Sequence, residues 1–187
     1  SNQNFRQALN YGFDRSATVN AVNPGYKAYN RLVDSNFAGP DGGKFVDEYP
    51  VETVPLSGDV DKAKEYLAAA MEELGYSDVS QLPQLELITW DTSEQKLLLE
   101  TIIDQWKQNL GLENIQLTQY VIGTAIGSFY DLSYDLFAIT WETDVLPTDI
   151  MEAMVTGGEV NYGIWSDAQF DSLVEQAINE LEPDKLA

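Results

Sequence analysis

The sequence predicts an α/β fold in which a mixed sheet is flanked by helices. Three short strand-like apolar runs, at residues 85–90, 115–121 and 134–141, alternate with longer stretches of helical periodicity, and no internal repeat or low-complexity tract breaks the alternation. Composition agrees. With 187 residues, 44% hydrophobic and 22% charged, the chain is long enough to form one domain with a real core and looks neither disordered nor fibrous.

Phe5, Ala8, Leu9, Gly12 and Phe13 recur at helical spacing over residues 4–13, and Asp14 offers an N-cap for a second short helix through Ser16 to Val22. Asn23-Pro24-Gly25 ends it. From Tyr26 to Gly58 the pattern dissolves into Gly, Pro, Asp and aromatic residues, with a turn cluster at 39–43, and a long ordered loop with a short strand is expected. Asp59 then opens a helix carrying Ala63, Tyr66, Leu67, Ala70 and Leu74 on one side, with Gly75 to stop it.

Pro83 precedes the strand-like run Leu85 to Trp90, which is too short for a domain helix. Ser93 to Leu110 is the longest helix candidate, with Leu99, Ile102, Ile103, Trp106 and Leu110 as its buried stripe and Gly111 as its stop. Trp106 is therefore assigned to the core. A second strand follows at Ile115 to Val121, then a short helix or turn within 122–133. The continuous apolar run Tyr134 to Trp141 suits a strand buried on both faces of a sheet. Pro147 can open a helix through Met154, stopped by Gly157-Gly158. Ser166 and Gln169 have capping-box spacing before a last helix bearing Phe170, Leu173, Val174, Ala177 and Ile178.

Charge and residue usage exclude much. Ten Lys plus Arg against 31 Asp plus Glu give a formal net charge of −21, and no basic run offers a local exception. Such a surface repels phosphate backbones and anionic lipid heads, so no nucleic-acid partner and no direct membrane-surface binding are expected. The absence of His and Cys removes Ser-His-Asp and Cys-His catalysis, imidazole bases, disulfides and ordinary zinc or copper sites. Neither phosphate-binding glycine loops nor EF-hand spacing occur. The sequence assigns no catalytic residue, no metal ligand and no cofactor.

Two enzyme-like strings overlap. Asp91-Thr92-Ser93 has the form of an aspartic-protease loop, and Ser93-Glu94-Gln95-Lys96 the form of the serine-lysine start of penicillin-recognising enzymes. The first needs a second carboxylate to share its proton, which only a homodimer could bring, and the second lacks its Ser-Asp-Asn and Lys-Thr-Gly companions. The stronger reading is that Asp91, Thr92 or Ser93 caps the long helix at a strand-to-helix turn. Trp90, Tyr120, Trp141, Tyr162 and Trp165 all fall at strand ends or in loops. In α/β folds that is where ligand crevices form, although core packing is the commoner fate of a single Trp.

A series of motifs runs in order along nearly the whole chain: Arg6-Gln7-Ala8-Leu9-Asn10-Tyr11 with Asp14-Arg15; Asp59 to Tyr76; Leu87-Ile88-Thr89-Trp90; Trp106 to Gly111-Leu112; Tyr134-Asp135-Leu136 to Trp141 with Asp144 and Pro147; Tyr162 to Ser166; and Phe170 to Leu173 with Ala177. The series resembles that of the oligopeptide-type (family 5) extracellular solute-binding proteins of ABC importers. The first motif is similar to the segment opening that family's second lobe, and Asp59 to Tyr76 resembles its Asp-Pro-Glu-Lys-Ala-Lys helix and Gly-Tyr end, with Val60 in the place of proline.

The resemblance implies a second lobe of a two-lobed, class II periplasmic-binding-protein-like fold. It implies one domain over residues 1–187, lacking the opposing lobe and the return segment. Such a lobe closes on an oligopeptide by hinge motion and passes it to permease subunits in the membrane, as a monomeric, non-enzymatic receptor outside the cytoplasm, lipid-anchored or periplasmic. Relatives in the family bind oligosaccharides or metal chelates, and a hydrolase of the aspartic or serine-lysine type is the alternative from another class. The ligand-binding residues it implies are Asp144 for the peptide ammonium, with Thr140 in the place of the usual glycine before Trp141, and Lys96 for the negative end. Trp141, Trp90, Tyr120 and Trp165 join them as aromatic walls.

Overall fold

The structure, a computed structural model, describes residues 2–31, 36–140 and 151–180. The backbone divides into two compact units, residues 1–30 with 54–139, and residues 31–53 with 140–187.

In the first unit, helices α1 (Gln3–Tyr11) and α2 (Arg15–Val22) meet at a sharp corner. Asn2 caps α1 and Asp14 caps α2, each accepting a hydrogen bond from the amide three residues on, Phe5 and Ala17, at 2.8 Å. The Arg15 amide donates to the Leu56 carbonyl and the Asp59 amide to the Tyr11 carbonyl, which closes the chain's excursion between α2 and the next helix of this unit.

That helix, α4 (Val60–Leu74), starts on the Asp59 cap and stops at Gly75, whose φ of 77° is the left-handed cap the sequence predicts. Its buried face of Ala63, Leu67, Ala70 and Met71 lies on α1, with the rings of Tyr11 and Tyr66 stacked 5.6 Å apart. A 3₁₀ turn (Val79–Gln81) leads into strand β1 (Leu85–Trp90). Helix α5 (Ser93–Leu110) follows, then β2 (Ile115–Tyr120), α6 (Ile122–Tyr130) and the short β3 (Leu136–Phe137).

The strand order is β2-β1-β3, and both pairings are parallel. Side-chain alternation splits the sheet's residues between two faces. Leu87 joins the main core with Leu9, Leu67, Leu99 and Trp106, and Leu117 and Leu136 pack against it. Phe137, whose register partner Ile88 is fully buried, contacts Phe129 of α6, ring centroids 4.9 Å apart. The α5 crossover therefore covers one face and α6 the other, leaving β1 buried on both.

In the second unit, α3 (Phe45–Glu48) follows an isolated bridge between Ala38 and Lys44, and α7 (Ala168–Asn179) carries the buried Val174.

Two expectations change. Within the strand expected over 134–141 only Leu136–Phe137 forms: before it the Asp135 carboxylate, not a backbone carbonyl, accepts the Glu86 amide at 2.8 Å, and after it the Thr89 hydroxyl donates to the Ala138 carbonyl at 2.8 Å. The cap of the last helix is Asp167, which accepts from the amides of Gln169 and Phe170, while the Ser166 hydroxyl is engaged with Thr156. The expected cap of α5 within the Asp91-Thr92-Ser93 string is found at Thr92, whose hydroxyl accepts from the Gln95 amide at 3.1 Å, so the string is a helix start. Residues 147–150 of the helix expected from Pro147 through Met154 lie outside the described residues.

Two substitutions test the packing of the first unit. The Trp106 indole N–H donates to the Leu9 carbonyl at 2.8 Å inside the core, so Trp106→Phe is expected to lower stability by about 1–3 kcal/mol in a denaturant titration. Gly58 has a φ of 70°, and a Cβ there would lie 2.5 Å from the Phe13 carbonyl oxygen and 2.8 Å from that of Tyr11. Gly58→Ala should therefore cost at least about 1 kcal/mol, more than the same change at the open, positive-φ Gly42.

Candidate functional site

The strand order places one edge of the sheet in a special position. From β1 the chain crosses to β2 on one side, then returns past β1 to β3 on the other. The switch point lies between β1 and β3, and in such sheets ligand crevices form beyond the strands' carboxyl ends. The carboxyl end of β1 is Trp90, and its register partner on β2 is Tyr120.

Beyond that pair the two loops stay tied together. The Asp91 amide donates to the Tyr120 carbonyl at 2.8 Å. Gln119 donates through Nε2 to the carbonyls of Thr92, at 3.0 Å, and Trp90, at 3.4 Å. An open hollow of ≈330 Å³ lies here, lined by Trp90, Asp91, Thr92, Val121 and Ile122. Its volume is at the small end of the roughly 300–1,000 Å³ typical of ligand clefts.

The walls differ in chemistry. Val121 and Ile122 are 66% and 60% exposed, an unusual cost for two neighbouring aliphatic side chains. Trp90 is half-buried. The Asp91 side chain is exposed, and among the described residues nothing bonds to its carboxylate. Thr92 is occupied as the α5 cap. Helix α6 starts at Ile122 without a side-chain cap.

Of the residues singled out by sequence, the sheet brings Trp90 and Tyr120 together as neighbours. Lys96 sits one turn into α5, where its ammonium pairs with Glu100 at 3.8 Å, both side chains about half exposed. Trp165 belongs to the second unit. There its ring packs on Phe170 with centroids 4.9 Å apart, and the buried Asn161 brackets its backbone, donating to the Trp165 carbonyl at 2.8 Å and accepting from its amide at 3.2 Å. Hydrogen bonds from Thr156, through its side chain and its amide, hold the Asp171 carboxyl below the usual carboxylate range beside this loop. Trp141 and Asp144 lie outside the described residues.

Asp91, Val121 and Ile122 were not among the sequence's binding candidates. The available signal was local: an apolar pair directly after a strand, opening a helix that has no capping residue. No group of three or more carboxylates able to hold a metal ion occurs among the described residues. No described helix is long and apolar enough to cross a membrane.

Comparison with known proteins gives the family. The oligopeptide-binding protein OppA of Bacillus subtilis is 27% identical over 189 residues, covering 100% of this chain and 33% of its own length. The dipeptide-binding protein DppE of the same organism is 26% identical, covering 97% of this chain and 32% of its own length. The chain thus spans about a third of the length of the curated relatives it matches. In fold it is similar to Haemophilus influenzae OppA, solved in complex with RPPGFSPFR, with a TM-score of 0.80 at 17% identity over 99% of this chain and 35% of that one. Residues 1–162 match the bacterial extracellular solute-binding proteins, family 5 middle, a transport family rather than an enzyme family, and the chain belongs to that family.

Proposed function

We propose that residues 1–187 form one ligand-binding lobe of an ABC-importer receptor for oligopeptides, whose remaining lobe closes over the ligand by hinge motion and delivers it to a membrane permease. The family match over residues 1–162 carries the reading, and the names of the two curated relatives support a peptide as the ligand. On this reading the receptor is monomeric, extracytoplasmic, lipid-anchored or periplasmic, and not an enzyme. The peptide backbone is satisfied by strand-like hydrogen bonds, and roomy side-chain pockets tolerate variety. No cofactor is involved.

Within the lobe, Trp90 and Tyr120 at the strand ends supply aromatic wall. From the family resemblance, Asp144, Trp141, Lys96 and Trp165 complete the site, with Asp144 paired to the ligand's ammonium.

The test uses the longer protein that contains this chain. Mass spectrometry of ligands that copurify with it is expected to find peptides, and calorimetry reversible binding. The 187-residue chain by itself should melt cooperatively and bind the same peptides far more weakly. Copurified sugars or metal chelates with no peptide affinity would overturn the reading, as would substrate turnover abolished by Asp91→Ala or Ser93→Ala.

The role of Asp144 has its own measurement. A carboxylate desolvated around an ammonium loses on the order of 3–5 kcal/mol when its partner is removed. N-acetylation of a bound peptide should therefore weaken binding to the parent strongly and leave binding to Asp144→Asn nearly unchanged. Equal affinity of the parent for free and acetylated peptides removes Asp144 from the site.

A further inference from the structure

The hollow at the carboxyl edge of β1 has the chemistry of a pocket for one long cationic side chain. Among the described residues its only formal charge is Asp91, and none of them donates to that carboxylate. Around it stand the half-buried ring of Trp90 and the exposed aliphatic groups of Val121 and Ile122. An aliphatic stem with a terminal cation fits such a set. The stem covers the exposed apolar surface, the charge meets the carboxylate, and the indole face adds its own attraction for a cation.

The competing attraction is for an anion, because two helices begin at the hollow. Each helix start carries about half an elementary positive charge, spread over its unbonded amides. At α5 the Thr92 hydroxyl takes the Gln95 amide, and α6 starts uncapped, so the two starts together roughly offset the charge of Asp91. Lys96, the cation that could shift the balance, is paired with Glu100. The sign is then set by the net charge of −21, and the field of the whole chain draws cations toward the hollow.

We propose that Asp91 is a specificity-determining residue, holding a lysine or arginine side chain of the ligand in the hollow it shares with Trp90, Val121 and Ile122. The proposal rests on the peptide-binding reading and narrows it to ligands carrying a basic residue at one position. Because the Asp91 side chain bonds to nothing in the first unit, its replacement leaves the fold intact.

The experiment measures affinities of the longer protein for pentapeptides with free termini, identical except that one position at a time is lysine, norleucine or glutamate. Free amino ends in every peptide cancel any ammonium contribution from the comparison. At one position lysine should bind about ten-fold more tightly than norleucine, the scale of one charge-assisted contact, and glutamate more weakly than both. Asp91→Asn should abolish the lysine preference while keeping the norleucine affinity, and Asp91→Lys should reverse it in favour of glutamate. Peptide binding with no preference for lysine at any position overturns the proposal. So does a lysine preference that survives both Asp91 variants, or a preference for glutamate in the unaltered protein. If no peptide of the set binds at all, the broader peptide reading fails with it, which separates the two outcomes.

Discussion

Three neighbouring side chains of α5 hold the first unit together by bonding to the backbone of a corner some ninety residues away. Gln105 accepts the Asp14 amide at 2.7 Å and donates to the Thr18 hydroxyl at 2.8 Å. Trp106 donates to the Leu9 carbonyl, and Asn109 to the Gly12 carbonyl, each at 2.8 Å. At the α1–α2 corner the Leu9 carbonyl otherwise has only the long bond from the Gly12 amide, at 3.4 Å, and a backbone group buried there without a partner would cost about a full desolvation penalty. A flat approach of α5 to the corner is also required. A Cβ on Gly12 would lie 2.8 Å from the Leu110 side chain. Polar satisfaction therefore sets where α5 lies, and the core between α1, α4, α5 and the sheet fills around that placement.

Once α5 is fixed, the position of the hollow follows from chain direction. α5 leaves β1 at Trp90 and returns the chain to β2 in register, so Trp90 meets Tyr120 at the same edge. The next crossover, through α6, must pass to the opposite face to reach β3, and Phe129 meets Phe137 there. With β1 covered on both sides, the carboxyl edge is where its side chains and the following turns can reach a ligand. This is the topological reason that Asp91 and Val121, thirty residues apart, line one surface.

Much of this was legible in the sequence because the decisive signals were local. Gly75 and Gly111 stop their helices in the left-handed conformation, Asp14 and Asp59 cap where they stand, and Trp106 lies on the stripe that periodicity assigns to the core. Illegible features depended on competition between neighbours. Ser166 and Asp167 both suit a helix cap, and which one serves depends on Thr156 drawing the Ser166 hydroxyl away. The run from Tyr134 reads as a long strand, yet Asp135 places a side-chain oxygen where the ladder needs a carbonyl. The hollow was half legible. Aromatic residues at strand ends flagged Trp90 and Tyr120, whereas Val121 and Ile122 read as the end of a strand and the beginning of a short helix or turn. Period alone does not say which apolar residues a topology leaves uncovered.

Rigidity at the hollow's rim comes from groups that do not face the ligand space. The Asp91 amide is bonded to Tyr120, the Thr92 amide to the Trp90 carbonyl at 3.0 Å, and Gln119 reaches the carbonyls of both Trp90 and Thr92. The turn is thus pinned through its main chain and through one side chain of the neighbouring strand. The side chains of Asp91, Val121 and Ile122 carry none of that load, so they can change in charge or bulk without altering the position of the backbone beneath them. A binding protein gains from such a division, because preorganised backbone lowers the ordering cost of binding while exchangeable side chains set which ligand is preferred. The two exposed aliphatic residues are the cost of this arrangement. Their exposure is tolerable on a chain with a net charge of −21, where mutual repulsion opposes the self-association that an apolar patch would otherwise promote.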